Sequence, residues 1–306
     1  MTRLLFVVMI FTLFKADPKK ADKGIVYFSY DNGKTWENRS RGLPDNIFLS
    51  DIAVSNDIVA LSTKKNGVFT FNFSTEVWKG VKSIPTENDE INALYVHQNN
   101  LFVGTKSNGI FISSDQGDTW ADYNTGLQNK TIRKLIVIGD TFYAGTNGGL
   151  YFYDPLTKKW KLEYGHTSLQ VNGIKELNGE IFIGTNQGAF KKNKKWQQIM
   201  ANRSLHNIGN DRNNIYALTY SELFISSDYG STWRSDQKGM PHGMYTFQVI
   251  EKDNTVLAGQ WDGVYVKTAT QGWKLSNKGL PPDFPVLEIV VTSNFVVAGS
   301  SQWSKE

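Results

Sequence analysis

Cysteine is absent from the 306 residues, so the chain can form no disulfide, no thiolate metal site and no cysteine nucleophile. Excess charge is small as well, since 33 Lys and Arg stand against 29 Asp and Glu, giving a net charge of +4. The basic residues look scattered along the chain, which removes the electrostatic argument for nucleic acid as a partner. Hydrophobic residues still make up 40% of the chain, which is enough to build a core and excludes a disordered protein.

Long hydrophobic runs are also lacking, apart from one between Leu4 and Phe14 that follows a single arginine. Its eleven residues would cross about half of a bilayer core as a helix, so we predict no stable membrane span. A positive start followed by a run of this length is typical of a secretory signal, although a buried first strand is the alternative. We predict a signal peptide over 1–16, a linker over 17–23, and export to the periplasm or the cell exterior.

Tryptophan recurs every 36 to 42 residues through the rest of the chain. The seven positions are Trp36, Trp78, Trp120, Trp160, Trp196, Trp233 and Trp273. Three short β-branched or aromatic runs precede most of them, as in 91–96, 101–105 and 109–114, and a fourth run opens at the tryptophan. Four short strands per roughly 40 residues predict propeller blades, and no helical apolar period is long enough to compete.

The two ends of this domain, which we place at 24–306, are complementary parts of one repeat. Residues 24–43 carry the third and fourth runs, whereas 286–303 carry the first two. We therefore predict an all-β fold, a closed seven-bladed propeller of four-stranded antiparallel blades in which both ends share one blade. Closure would leave no long sheet edge exposed, and we expect a monomer.

Three repeats carry a sharper pattern, S-x-D-x-G-x-T-W, between the third and fourth strands, at 29–36, 113–120 and 226–233. These segments are named the aspartate turns. Their pattern residues are Asp31, Gly33, Thr35 and Trp36, then Asp115, Gly117, Thr119 and Trp120, then Asp228, Gly230, Thr232 and Trp233. An aspartate can accept hydrogen bonds from nearby backbone N–H groups, glycine permits a positive φ, and tryptophan supplies a large apolar plate. We predict a structural role for them rather than a calcium or sugar site.

The pattern is similar to the Asp-box, or BNR repeat, of sialidases, sortilin, xyloglucanases and the photosystem II stability/assembly factor. The resemblance covers essentially the whole chain after the predicted signal. By length and blade number the chain looks most like the single-propeller assembly-factor group, which implies a protein partner. In that family the box lies on the rim away from the ligand face. The phrases Gly42-Leu-Pro44 and Gly279-Leu-Pro281 also resemble the sensor propellers of bacterial two-component regulators.

Enzyme motifs are missing: there is no G-x-S-x-G elbow, no H-E-x-x-H, no P-loop and no dinucleotide fingerprint. A sialidase would need a convergent arginine cluster and a tyrosine–glutamate pair, whereas this chain has seven arginines at unlike repeat offsets. The interpretation favours a protein without catalytic residues, cofactor or metal. A glycoside hydrolase, sialidase-like or glucanase-like, stays open, with Asp45, Asp89 and Glu90 as carboxylates near the central channel.

What remains is the face shared by the connections between blades and the turns from second to third strands. Trp261 and Trp303 lie outside the seven repeat positions on neighbouring blades, and such plates suit a sugar or a peptide. Arg133, His206 and Tyr245 are further candidates on this face. We predict a secreted, non-catalytic binding or assembly protein that engages a protein partner or a glycan there.

Histidine offers no convincing metal site. His166, His206 and His242 fall in three consecutive inter-blade connections, but no pair has the close spacing of ligands on one strand or helix. We predict no bound metal.

Overall fold

The computed structural model describes residues 24–55, 58–86 and 89–301. Within these residues the chain forms 28 β-strands and no helix, and the strands assemble into seven four-stranded antiparallel sheets. The predicted seven-bladed propeller is confirmed. The predicted signal peptide, the linker and Trp303 lie outside the described residues.

The strands follow in chain order. They are β1 (Val26–Ser29), β2 (Glu37–Asn38), β3 (Leu49–Val54), β4 (Val59–Thr63), β5 (Val68–Asn72), β6 (Val77–Gly80), β7 (Ile91–His97), β8 (Asn100–Thr105), β9 (Ile110–Ser113), β10 (Ala121–Asp122), β11 (Ile132–Ile138), β12 (Thr141–Thr146), β13 (Gly149–Asp154), β14 (Lys159–Tyr164), β15 (Val171–Leu177), β16 (Glu180–Thr185), β17 (Gly188–Lys192), β18 (Trp196–Ala201), β19 (Leu205–Asn210), β20 (Ile215–Thr219), β21 (Leu223–Ser226), β22 (Arg234–Ser235), β23 (Gln248–Lys252), β24 (Thr255–Gln260), β25 (Gly263–Thr268), β26 (Gly272–Leu275), β27 (Glu288–Val291) and β28 (Val296–Gly299).

Blade 1 is built from both ends of the described chain, in the strand order β27, β28, β1, β2. Val26 pairs with Gly299 and Phe28 with Val297, as the complementary end repeats predict. Blades 2 to 7 each take four consecutive strands, from β3–β6 to β23–β26. The first strands of the blades contact one another around the ring, including β27 against β3, and they surround a central channel.

Strands in the middle of a blade are mostly apolar because neighbouring blades cover both of their faces. In β8, every residue from Leu101 to Thr105 is buried. Gly104 marks the closest approach, since a Cβ atom there would meet Ile132 of blade 4 at 2.3 Å. Aromatic rings fill the wider parts of the same interface, where Phe142 packs 4.7 Å from Phe102 and 5.3 Å from Trp160 between ring centroids.

The ring has two distinct faces. In several blades a backbone hydrogen bond joins the inter-blade connection to the turn from second to third strand, as from Lys106 N to Glu90 O at 2.9 Å. We name this side the mouth face. The other turns meet on the opposite side, where Ser227 Oγ donates to Asn214 Oδ1 at 2.7 Å. That side, which carries the aspartate turns, is named the turn face.

In the part of the chain that the structure describes, no helix has the length and apolar character to cross a bilayer.

Candidate functional site

The central channel opens on the mouth face through a row of side chains that sit on β-bulges. In five first strands the ladder skips one residue, which is Ser50, Asn92, Arg133, Asn172 or His206. Phe247 and Leu287 hold the same place in the other two blades, where each donates its N–H to a glycine that pairs with the following residue. We name the set of seven the mouth row.

A bulge re-aims the side chain that it leaves unpaired, and bulges are frequent beside functional sites. Six members of the mouth row line one cavity of about 310 Å³, whose floor is formed by four residues of the next row. The six are Asn92, Arg133, Asn172, His206, Phe247 and Leu287, and the floor residues are Asp51, Lys134, Asn207 and Glu288. The cavity therefore has a mostly polar rim over a charged floor.

The amides of the mouth row bind one blade to the next. Asn92 Nδ2 donates to Ile132 O at 3.1 Å, and Asn172 Nδ2 donates to Leu205 O at 2.6 Å. Arg133 donates through Nε to Asn172 Oδ1 and through Nη1 to Asn147 Oδ1 at 2.9 Å. Among the described residues its side-chain partners are thus neutral amides. Burial lowers the pKa of Arg133, and the nearby Tyr220 phenol opposes that shift.

Five rings pack together at one side of this mouth and form the aromatic cluster, which comprises His206, Tyr220, Tyr245, Phe247 and Trp261. Tyr245 lies at its centre, with ring centroids 4.8 Å from His206, 4.9 Å from Phe247 and 5.8 Å from Trp261. Tyr220 is 55% exposed and the adjacent Met244 is 42% exposed. The cluster therefore presents aromatic surface to solvent directly beside the cavity.

His206 joins the two parts of the site, because it belongs both to the mouth row and to the aromatic cluster. Burial lowers its pKa to about 4, against a weaker opposing influence of backbone groups of Thr219 and Thr246. The imidazole is consequently neutral near pH 7. Its Nε2 is buried without a hydrogen-bond partner among the described residues.

The charged floor consists of two carboxylates and a lysine from three different blades. Lys134 Nζ lies 3.4 Å from Asp51 Oδ2, which also accepts from Leu94 N at 3.1 Å. Burial opposes the charge of Lys134, yet Asp51 and then Glu288 raise its pKa. Burial raises the pKa of Glu288 to about 8, and the negative charge of Asp51 adds to that rise.

A second, smaller cavity of about 220 Å³ continues the channel below this floor, and its walls are largely apolar. Lys175 points its charge into that environment, and burial, followed by repulsion from Lys134, lowers its pKa to about 8. The channel thus passes from a polar mouth through a charged ring to an apolar lower part.

The aspartate turns form the same hydrogen-bond network at all three positions. In the second one, Thr119 donates from N at 2.8 Å and from Oγ1 at 2.6 Å to the two oxygens of Asp115. Ser113 Oγ donates to Asp115 Oδ1 at 2.8 Å and accepts from Gly117 N at 2.7 Å. The threonine hydroxyl, with the other donors, lowers the pKa of Asp115 to about 2.

The tryptophan that ends each aspartate turn reaches the preceding blade. The indole Nε1 of Trp36 donates to Ser276 O at 2.9 Å, that of Trp120 to Lys82 O at 3.0 Å, and that of Trp233 to Ile199 O at 2.9 Å. Both aspartate oxygens accept hydrogen bonds within the turn, and the tryptophan bonds to the preceding blade. The segments therefore have the geometry of supports between blades.

Three of the five predicted ligand-face residues, Trp261, His206 and Tyr245, come together in the aromatic cluster, and Arg133 lies on the rim of the adjacent cavity. The fifth, Trp303, lies outside the described residues. The sequence predicts His206 in an inter-blade connection. In the structure it belongs to strand β19. That these residues bind a ligand stays a prediction.

The carboxylates proposed from the sequence for a hydrolase have other partners. Asp45 is exposed. Asp89 accepts from Asn108 N at 3.0 Å and Asn108 Nδ2 at 2.8 Å, and Glu90 pairs with Lys106 at 3.5 Å. In the described ranges no three His, Cys, Asp or Glu side chains cluster as a metal site.

The sequence reading did not point to the channel carboxylates Asp51 and Glu288. Each is a single acidic residue inside an apolar run, and its place in the repeat becomes visible only when it is counted from the mouth-row residue before it. Alignment of the repeats on the first strand, instead of on the tryptophan, would have shown polar residues recurring at this offset.

Comparison with known proteins identifies the fold and no closer relationship. No protein-family model and no curated protein matches the chain. Among solved structures it resembles the extracellular domain of a putative one-component system from B. thetaiotaomicron, with TM-score 0.69 and 16% identity over 90% of this chain. The match covers 39% of that protein, so the present chain corresponds to less than half of its length.

Two further similar structures contain YCF48. YCF48 bound to a D1 peptide matches with TM-score 0.65 and 12% identity, over 85% of this chain and 94% of that one. YCF48 from Cyanidioschyzon merolae matches with TM-score 0.60 and 14% identity, over 90% of this chain and 88% of that one. At these identities the likeness supports a shared propeller fold.

Proposed function

We propose that the protein is an exported, non-catalytic binding propeller that engages a protein segment or a glycan at the channel mouth. One observation carries this proposal: the aromatic cluster lies directly beside the 310 Å³ cavity, whose rim is formed by the mouth row. The site combines aromatic plates, one arginine and several amides in a concave surface, and such a combination is typical of ligand sites.

The chemistry of the rim supports a ligand that brings polar or anionic groups. The guanidinium of Arg133 is largely buried and has amide partners but no carboxylate partner among the described residues. Buried polar groups without partners are costly, and both His206 Nε2 and Ser50 Oγ are in that state within the described chain. A bound ligand with acceptor and donor groups would satisfy His206 Nε2, which lines the cavity.

The composition of the surface supports a protein partner in particular. Tyrosine, tryptophan, methionine and arginine are enriched in protein interfaces, and Tyr220, Trp261, Met244 and Arg133 supply one of each here. The fold likeness to YCF48, whose structure contains a bound D1 peptide, agrees with this preference. Export is supported by the apolar run at 4–14 and by the fold likeness to an extracellular domain.

A peptide array and a glycan array, each probed with the purified protein, test the proposal. We expect Tyr220→Ala and Arg133→Gln to weaken binding to the retrieved ligand at least about tenfold, as truncation of a central interface residue does. Tyr229→Ala and Arg212→Gln are matched controls, because these residues lie on the turn face. Unchanged binding by a Tyr220→Ala, Trp261→Ala double variant would place the ligand elsewhere.

A glycoside hydrolase is the second candidate, favoured by one observation. Asp51 and Glu288 are two carboxylates in one channel, and the raised pKa of Glu288 keeps it largely protonated near neutral pH, as a general acid would be. Turnover of aryl glycosides or plant glucans that disappears in Glu288→Gln would favour this enzyme over the binding protein. Under our proposal the purified protein shows no such turnover.

A further inference from the structure

The basic charge of the protein is concentrated in blades 4 and 5. Residues 132–201 hold ten Lys and Arg against five Asp and Glu, so this segment has a formal charge of +5 while the whole chain has +4. The rest of the chain is therefore close to neutral. The fold places this basic segment on two neighbouring blades.

Most of these lysines lie around the turns from third to fourth strand, where blades 4 and 5 lack the aspartate-turn pattern. We name them the lysine rim, which consists of Lys158, Lys159, Lys161, Lys191, Lys192, Lys194 and Lys195. Three members form ion pairs, Lys161 with Asp154 at 2.5 Å, Lys191 with Glu180 at 3.4 Å and Lys192 with Glu163 at 2.5 Å.

The other four rim lysines, two on each blade, are exposed and have no ion-pair partner in the described ranges. Further acidic groups on these blades are Asp140 and Glu176, near the turns between first and second strands. Even with both counted, the outer edge of the two blades keeps an excess of positive charge.

An apolar side chain is exposed in the blade 4 part of this basic surface. Leu156, at the tip of the blade 4 turn, is 93% exposed, more than any other large hydrophobic residue of the described chain. Its conformation is fixed from behind, because Asp154 accepts from Leu156 N at 3.0 Å and from the Thr157 hydroxyl at 2.7 Å. The leucine is thus held outward by an aspartate-capped turn.

We propose that the lysine rim and Leu156 dock the protein onto the surface of an anionic lipid bilayer. Lysines near such a surface are attracted by its negative potential, and an apolar side chain between them gains by entering the boundary with the acyl chains. A nucleic acid or an acidic polysaccharide would attract the lysines but would leave Leu156 exposed. Docking through the turn face keeps the mouth face open to its ligand.

Vesicle co-sedimentation of the full chain tests this docking. We expect binding to vesicles of phosphatidylcholine mixed with phosphatidylglycerol, little binding to phosphatidylcholine alone, and release at high salt, where the Debye length is short. Equal binding to both vesicle types would overturn the proposal, since it would show that the rim charges are not used.

The first matched comparison is between two charge-reversal variants. The rim variant reverses the four rim lysines that have no ion-pair partner in the described chain, and the control variant reverses four lysines elsewhere on the ring. We expect the rim variant to lose at least about tenfold in partition onto anionic vesicles, given the attraction of each lysine to the surface, and the control variant to bind nearly as the unaltered protein does. Both variants keep residues 1–23, so the apolar run at 4–14 contributes equally to each. Equal losses would mean that net charge, and not the rim, governs binding. The rim variant is Lys158→Glu, Lys159→Glu, Lys194→Glu, Lys195→Glu, and the control is Lys64→Glu, Lys65→Glu, Lys274→Glu, Lys278→Glu.

Substitution of the tip separates a bilayer from other polyanions. We expect Leu156→Ser to reduce vesicle binding severalfold while binding to immobilised heparin stays unchanged, because heparin offers no apolar phase. Leu275→Ser is the matched control, as Leu275 is 46% exposed on another blade. If Leu156→Ser leaves vesicle binding intact and heparin competes fully with the vesicles, the rim is a polyanion site and the bilayer proposal is wrong.

Discussion

The aspartate turns on one face of the ring and the mouth on the other differ in how their polar side chains are hydrogen-bonded. On the turn face, the carboxylates of Asp31, Asp115 and Asp228 each accept hydrogen bonds from a serine hydroxyl and from the N–H and hydroxyl of a threonine in the same turn. On the mouth face of the described chain, Ser50 Oγ, His206 Nε2 and Asp262 Oδ1 are buried without a partner. The aspartate turns complete their hydrogen bonds internally, whereas these three atoms of the mouth face have no partner in the described chain.

The backbone reflects the same difference. In the first aspartate turn Asn32 and Gly33 both adopt positive φ, 58° and 83°, and this tight conformation folds the side chains back onto their own segment. In the first strands a bulge instead releases one residue from the ladder and directs it to the channel, as at Arg133. The aspartate turns are thus closed on themselves, whereas the bulges present side chains to the channel.

The largest expected effect is the loss of the folded ring, and with it of both faces, when the closing blade is removed. Deletion of 286–306 removes β27 and β28, so β1 loses its pairing with β28 and blade 7 loses its neighbour. Exposed strand edges and a halved core interface should abolish cooperative unfolding. Circular dichroism during heating, together with size-exclusion chromatography, measures the result.

A circular permutant provides the control for that deletion. It places 286–301 ahead of residue 24, with a short linker between β28 and β1, which are antiparallel neighbours. We expect this permutant to fold, because it restores blade 1 as four consecutive strands. A deletion that still melts cooperatively at the temperature of the intact chain would contradict a closed ring.

Tryptophans from the two faces should differ in how much they contribute to the free energy of unfolding. Trp36 is 4% exposed and joins blade 1 to blade 7, so Trp36→Ala should lower the free energy of unfolding by about 3–5 kcal/mol. Trp261 is half-buried beside the mouth, and Trp261→Ala should cost about half of that or less. Urea unfolding measures both. The reverse ranking would contradict the assignment of stability to one face and binding to the other.

The sequence predicts the fold well because the features that build a blade are local. The tryptophan period, the glycine and asparagine turns and the aspartate turns all lie within one repeat of the chain. The shared blade was also predictable, since Val26 and Gly299 belong to half-repeats that complete each other. Such signals need no knowledge of distant contacts.

The site was predictable only in part, for a physical reason. Trp261 and Tyr245 could be placed on a face, but their contact with Phe247 and His206 depends on how two blades twist against each other. The charged floor depends on three blades at once. Asp51 and Glu288 are more than two hundred residues apart in the chain, and only ring closure brings them to the same channel.

The pH dependence of stability tests the charged floor below the mouth. Glu288 has a pKa near 8 in the folded chain against an ordinary value of 4.5. The folded state therefore binds this proton more tightly between about pH 4.5 and 8, and the free energy of unfolding should decrease as the pH rises through that window. We expect Glu288→Gln to flatten this decrease in urea titrations.

Glu90→Gln is the control for that measurement, because Glu90 lies on the same face and pairs with Lys106 at 3.5 Å on the surface. Its pH profile should follow that of the unaltered protein. If Glu288→Gln and the unaltered protein lose the same stability across the window, the pKa of Glu288 is not raised in the folded chain.

The smallest expected effect belongs to the turn face and has the opposite sign. The pKa of Asp115 is lowered to about 2, first by the Thr119 hydroxyl, so its contribution is present above the ordinary value of 3.8 and is lost as the pH falls through 2. Asp115→Asn should make acid unfolding below about pH 4 less steep, and only modestly, because Asp31 and Asp228 contribute in the same way and the group is exposed. Asp118→Asn, in the same turn but without this network, should leave the acid profile unchanged. An acid profile that responds to Asp118→Asn and not to Asp115→Asn would show that the aspartate turns are not the supports of this face.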